Sequence, residues 1–311
     1  MRIKLKPSIT APLLVFIIYL LMGASTLADV EKLGQRDNVF LAVIILQIIL
    51  FIIPGILYCR LKGSGFISKV HFNAFSLDKL WMAVCSFFVL ASGSALIKVG
   101  LYAIGYYSQQ YTLYESYLPN DASSISNLLY ILIAIAIIPA VTEEFIFRGI
   151  VLGEYRDCKT TPTTAVMLSA ALFAMLHFNM YQFPVYFFGG IVLGYVTVIT
   201  NSVFCAMIVH LLNNIFSLLF EPQLLRLISQ TDSPVFVLFI LAIIFFVFLI
   251  LTLQCIEKIY YNKGIRGEMS SPKKRKKRKK DNKLGPDAQA ALSPVFILCV
   301  ISYIILTLTL K

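Results

Sequence analysis

The sequence predicts an all-α fold: a polytopic transmembrane helical bundle of about 8–9 spans with its N-terminus inside. Three observations carry this. Of 311 residues, 59% are hydrophobic and 14% charged, against about 45–50% apolar and about 25% charged in a soluble domain. Apolar stretches near the length of a spanning helix, about 20 residues, recur from end to end. The connecting loops alternate between rich and poor in Lys and Arg, which is the pattern that sets orientation across a membrane.

Nine segments meet the length criterion: 9–27, 38–58, 80–105, 126–147, 162–178, 183–200, 203–220, 234–255 and 294–310. The first follows Met1-Arg2-Ile3-Lys4-Leu5-Lys6, a signal-peptide-like start. With eight spans behind it, an uncleaved anchor is the expectation. Arg2, Lys4 and Lys6 mark an inner side. So do Arg60, Lys62, Lys69 and Lys79 in the next inner loop, and Arg156 and Lys159 in the one after. The stretch 106–125 has no Lys or Arg and carries Glu115 and Asp121, as expected outside.

The net charge of +11 is mostly one run, Lys273 to Lys280; without those eight residues it is +3. A nucleic-acid-binding protein spreads basic groups over a folded face, so no nucleic-acid partner is expected. The run instead suits a topology anchor or contact with anionic membrane lipids. Six scattered cysteines show neither a disulfide framework nor metal-ligand spacing. The chain divides into N-terminal transmembrane helices (1–125), a central helical core (126–220) and C-terminal transmembrane helices (221–311) with a polybasic inner loop at 256–293.

Three spans carry polar groups where lipid is expected, and such groups are functional candidates. The fourth reads Pro139-Ala140-Val141-Thr142-Glu143-Glu144-Phe145-Ile146-Phe147-Arg148-Gly149, the fifth ends Phe173-Ala174-Met175-Leu176-His177, and the seventh contains His210-Leu211-Leu212-Asn213-Asn214. Glu144 and Arg148 are i and i+4, on one helix face and able to pair. Glu143 points about 100° away and stays available. His210 and Asn214 share a face, as do Phe173 and His177. If spans four and five turn near Thr160, Glu143 and His177 sit level, each about 25 Å up its helix. That requires the fourth helix to run past Gly149 toward Lys159. Ser169 and Cys205 make no convincing nucleophile–base spacing with a histidine. Gly190 and Gly194 form a small-residue pair that lets helices approach closely.

The ordered motifs E-E-x-x-x-R, F-x-x-x-H and H-x-x-x-N resemble those of the CAAX protease and bacteriocin-processing (CPBP, or Abi) family of intramembrane endopeptidases, which includes the Ras-converting CAAX protease. The resemblance covers residues 126–220. It implies that Glu143 and His177 activate a water, that His210 and Asn214 hold the developing oxyanion, and that Glu144, Arg148 and Phe173 support them. The implied substrate is a peptide or protein, prenylated or not, met within membrane lipids. Cofactor use is open between none and zinc, for which Glu143, His177 and His210 are the candidate ligands, although the H-E-x-x-H of zinc proteases is absent. A bacterial plasma membrane is the expected location. The competing expectation is a non-catalytic membrane protein, either a transporter or an immunity or scaffold partner, that uses the same buried polar cluster.

Overall fold

A computed structural model describes residues 6–25, 36–63, 65–66, 70–103, 125–220, 223–224, 227, 234–266 and 284–309. All the regular structure among them is helical. In chain order the helices are α1 (Pro7–Ser25), α2 (residues 36–62), α3 (Leu77–Ala103), α4 (residues 125–157), α5 (Pro162–Met175), α6 (Phe183–Thr200), α7 (Val203–Leu219), α8 (Pro234–Ile265), the short α9 (Pro286–Ala291) and α10 (Pro294–Thr309). Among the described residues, six helices are long and apolar enough to cross a membrane, and α5, α7 and α10 are shorter apolar helices. Each of the nine expected spans therefore corresponds to a helix, and the chain is an integral, multi-pass membrane protein. The polybasic run and most of the 106–125 loop lie outside the described residues.

Boundaries differ from expectation in three places, each with a physical cause. The fourth span, expected to end at 147, continues through Gly149 to Asp157. Gly149 is not a break there, because its missing side chain makes room for Val70; a Cβ would meet Val70 Cγ1 at 2.6 Å. Beyond it Glu154 is buried yet satisfied: its Oε2 accepts from Thr10 Oγ1 (3.0 Å), Tyr58 Oη (2.7 Å) and Lys62 Nζ (2.5 Å). The eighth span runs ten residues past its expected end, where Lys258 pairs with Asp78 at 2.9 Å and Lys263 donates to Ile199 O at 3.0 Å.

The fifth span is shorter than expected. α5 starts from Thr161, whose Oγ1 accepts from Thr164 N at 3.2 Å ahead of Pro162, and ends at Met175. His177 consequently sits in the turn after the helix rather than on it. The next residue, Phe178, takes φ 48° and stacks on Tyr19 of α1 with centroids 4.4 Å apart. Asn201, at φ 52°, closes α6 and lets α7 start at Val203.

Two further features position the core. α4 changes pitch at Leu132–Ile137 and at Phe145–Val151, both π-helical. Hydrogen bonds there run i to i+5, a geometry often found at functional sites. Gly190 and Gly194 of α6 face α5: a Cβ at 190 would lie 2.8 Å from Ala170 Cα, and one at 194 would lie 2.9 Å from Val166. The six cysteines are free. The third histidine, His71, sits outside the site, 3.5 Å from Arg156 Nη1. Burial and that guanidinium hold its imidazole below the usual range.

The Lys62–Glu154 pair is the tie between α2, α1 and the lower half of α4. Removing one partner strands a buried charge, which costs about 3–5 kcal/mol, whereas replacing both with apolar groups is often neutral. Glu154→Leu should therefore lower the unfolding temperature in detergent, and adding Lys62→Met should restore most of it. A double variant as unstable as the single one would show that the pair is not the tie.

Candidate active site

The site is built on one buried ion pair. Glu144 is fully buried and Arg148 is 1% exposed. Such charges are tolerable when paired and hydrogen-bonded; here the pairing falls on Glu144 Oε1, while Oε2 is buried without a hydrogen-bond partner among the described residues. Arg148 Nη1 donates to Glu144 Oε1 at 2.7 Å, its Nη2 donates to Gly190 O at 3.2 Å, and its guanidinium carbon lies 4.6 Å from the centroid of the Phe173 ring. The Gly190 carbonyl can come this close because α6 packs tightly on α5 through the same glycine.

His210 of α7 joins the pair. Its Nδ1 lies 2.8 Å from Glu144 Oε1, and facing a carboxylate that nitrogen must donate. The opposite nitrogen, Nε2, then faces Glu143, 4.0 Å from Oε2. That separation is too long for a direct hydrogen bond. Glu143 and Glu144, adjacent in sequence, thus meet the two nitrogens of one imidazole.

His177 is fixed differently. Its Nδ1 donates to Phe173 O at 3.0 Å, and its ring stacks on Tyr186 of α6 with centroids 3.7 Å apart and 19° between planes. Phe173 links the two histidines: its ring centroid is 4.9 Å from that of His177 and 5.9 Å from that of His210. With Nδ1 protonated, a neutral His177 keeps a lone pair on Nε2.

Glu143, Glu144, Arg148, Phe173, His177 and His210 are thus gathered from α4, α5, the turn after it, and α7. Glu143 and His177 meet through Phe173 and His210 rather than by a direct bond. Asn214 sits farther along α7, where its Nδ2 donates to Ala136 O at 3.4 Å. Ser169 donates to Phe147 O at 3.0 Å, as a packing hydroxyl does. Among the described residues, no three His, Cys, Asp or Glu side chains converge closely enough to hold a metal ion. Of the candidate ligands Glu143, His177 and His210, the last gives Nδ1 to Glu144 and turns Nε2 toward Glu143. Elsewhere on the same helices, α4 and α7 with Phe75 line a half-open apolar hollow of about 200 Å³, walled by Ile137, Ala140, Val141, Phe204, Met207, Ile208 and Leu211, with none of the polar site residues in its wall.

Residues 125–216 match the family described as Type II CAAX prenyl endopeptidase Rce1-like. The membrane-embedded CAAX protease MroQ of Staphylococcus aureus (strain USA300) is 27% identical over 247 residues, covering 74% of this chain and 98% of that protein. No solved structure matches the chain. The motif residues, Glu143 through Asn214, all fall inside the matched stretch.

Three residues at or near the polar cluster carry no motif. Tyr186 gives no signal in a single sequence, since an aromatic in an apolar helix reads as packing. Gly190 reads as a close-approach glycine, but its carbonyl's bond to Arg148 does not show. Gln47 of α2 binds Thr142, with Thr142 Oγ1 2.9 Å from Gln47 Oε1; it is the single polar residue between Val39 and Ile53, which is a readable mark.

The packing at Gly190 makes a sharp contrast with its neighbour. A Cβ at 189 would touch Leu90 Cδ1 at an ordinary 3.5 Å, while one at 190 strikes the backbone of α5. Gly190→Ala should destabilise the protein by about 1–3 kcal/mol through overpacking, and Gly189→Ala should be neutral or slightly stabilising. Thermal unfolding of the two variants in detergent checks this; equal behaviour would refute the close α5–α6 contact.

Proposed function

We propose that the protein is an intramembrane endopeptidase of the CAAX-processing type, hydrolysing a peptide bond with a water activated by Glu143 and His177. The observation that carries this reading is the pair of histidines held in different ways: His210 between two carboxylates, His177 against a carbonyl. Neutral His177, with Nε2 unprotonated, suits acceptance of a hydrogen bond from the attacking water. His210 with both nitrogens protonated suits donation to an oxyanion, and it then makes the set of Glu143, Glu144, Arg148 and His210 electrically neutral.

In the proposed reaction Glu143 takes a proton from the water as its oxygen attacks the scissile carbonyl. The carbonyl oxygen becomes an oxyanion facing His210 Nε2–H, and such donors supply the largest stabilising contribution in many acyl transfers. Asn214 contributes a second donor if its amide leaves the long bond to Ala136 O. Glu143 then returns the proton to the departing amine, the C–N bond breaks, and acid and amine products leave. Glu144 and Arg148 do no proton chemistry; they fix the position and angle of His210.

The hollow between α4 and α7 offers a substrate an apolar contact on two of the helices that carry the site. A cavity of about 150 Å³ accepts a benzene ring, so 200 Å³ takes one bulky apolar side chain. A prenyl chain would have to extend beyond it into the surrounding lipid. The alternation of basic loops supports an N-terminus on the inner side, and the staphylococcal relative supports a bacterial plasma membrane.

The decisive experiment assays purified protein on matched prenylated and unprenylated peptides with apolar residues flanking the cleaved bond. Glu143→Gln and His177→Ala should each reduce turnover by about 10²–10⁴-fold, the range of a general-base contribution, with unfolding temperatures kept near that of the parent. Retained turnover in both variants would sink the proposal. Stoichiometric zinc lost together with activity on chelation would replace the metal-free version of it.

A further inference from the structure

His177 follows the end of α5, so the helix itself does not hold its side chain. The backbone bonds across that bend are long: His177 N to Ala174 O and Phe178 N to Met175 O are both 3.3 Å. The next residue turns to φ 48°. The torsion that spins an imidazole about its Cβ–Cγ bond is broad and roughly two-fold. The bond from Nδ1 to Phe173 O, at 3.0 Å, selects which edge of the ring faces the carbonyl. Hydrogen bonds to a carbonyl accept a broad range of directions, so this one bond restrains the ring plane only weakly.

Tyr186 restrains that plane. Its ring centroid lies 3.7 Å from that of His177, and the two planes are 19° from parallel. Phe173 closes a second side edge-on, at 4.9 Å and 68°. The start of α6 is anchored where Tyr186 stands: Gln182 N donates to Asn179 Oδ1 at 3.0 Å, and Tyr186 N donates to Gln182 O at 3.1 Å. Pro184 lies in the same first turn.

The register of α5 on α6 explains why a large ring fits here. Tyr186, Gly190 and Gly194 are spaced by four and share one helix face. The two glycines press that face onto Ala170 and Val166, where a Cβ would come within 2.8 Å and 2.9 Å. Helices that close leave little room for an aromatic side chain between them. With 194 on 166 and 190 on 170, residue 186 falls level with 174, in the last turn of α5. Its ring therefore reaches past the end of that helix and meets the imidazole of the bend.

We propose that Tyr186 is a positioning residue for His177: its flat face holds the imidazole plane while Phe173 O holds Nδ1, so that Nε2 keeps one direction. The ring carries this role, and the phenol hydroxyl has no part in it. The catalytic consequence rests on the peptidase reading, in which Nε2 accepts a hydrogen bond from the attacking water. The stack itself does not.

The test uses the full chain in detergent and compares Tyr186→Phe, which keeps the ring, with Tyr186→Leu and Tyr186→Met, which keep bulk without a flat face. A misplacement of about 1 Å can cost on the order of 10²-fold. Tyr186→Leu and Tyr186→Met should therefore lower kcat by roughly 10- to 10²-fold, with KM within about twofold. Tyr186→Phe should recover most of that loss. A second readout needs no turnover. In protein labelled with isotopic histidine, the His177 ring signals, assigned by their loss in His177→Ala, should be shifted upfield by the stacked ring. That shift should persist in Tyr186→Phe and vanish in the other two. Full turnover in either Tyr186→Leu or Tyr186→Met overturns the proposal, and so does a Tyr186→Phe variant as impaired as they are. An unchanged His177 signal in Tyr186→Leu overturns it as well. A parent protein that cleaves no peptide, yet shows the upfield signal and loses it in Tyr186→Leu, sinks the peptidase reading and leaves the positioning of the imidazole standing.

Discussion

Everything at the centre of this bundle depends on neutralising a fully buried carboxylate. Glu144 is wholly removed from solvent, and an unpaired charge in such a place would cost several kcal/mol even after relaxation. Arg148 and His210 converge on the same oxygen, Oε1. Once that junction exists, α4 is locked to α7. Through the second Arg148 nitrogen, α4 is locked to the backbone of α6 as well. The residues that look like chemistry are also the residues that hold three helices at one distance. Stability and site geometry here are one network, so changes to Glu144 or Arg148 alter both together.

The aromatic ring of Phe173 supplies the apolar half of the same junction. It bears on the guanidinium of Arg148, on Phe147 at 5.2 Å and on both histidine rings. A charged cluster surrounded by lipid needs walls as much as partners, because the low dielectric that strengthens each pair also punishes each gap. Phe173 and Tyr186 are those walls: Tyr186 stacks on the face of His177, and Phe173 meets both imidazoles nearly at right angles, while a carbonyl or carboxylate holds each ring nitrogen.

Much of this was readable from residue spacing. Nine apolar stretches mark nine helices, and the i, i+4 relation of Glu144 to Arg148 is the bond observed. The separation of Glu143 from Glu144 by one residue accounts for their two directions. What spacing did not show has physical reasons. Hydropathy ended the fourth span at 147 because Gly149, Glu154 and Arg156 look like a loop. Only partners from α1 and α2, distant in sequence, make that polar turn helical. A regular 3.6-residue period hid the π-helical stretches of α4 and extended α5 to His177, whereas the chain leaves the helix two residues earlier. The stacking of Tyr186 depends on how α5 and α6 face one another, which no local pattern encodes. Gln47 was legible as an anomaly, a single amide in an apolar run, although its partner was not.

The early end of α5 also bears on the surrounding lipid. Fourteen residues make a rod of about 21 Å, against a hydrocarbon thickness of about 30 Å. The hairpin that α5 forms with α6 therefore stops short of a full crossing, and its bend carries His177, Asn179 and Gln182, none of which acyl chains can solvate. A shortfall of that size is met by local thinning of the bilayer or by an aqueous dimple over the bend, at a modest cost for each ångström of mismatch.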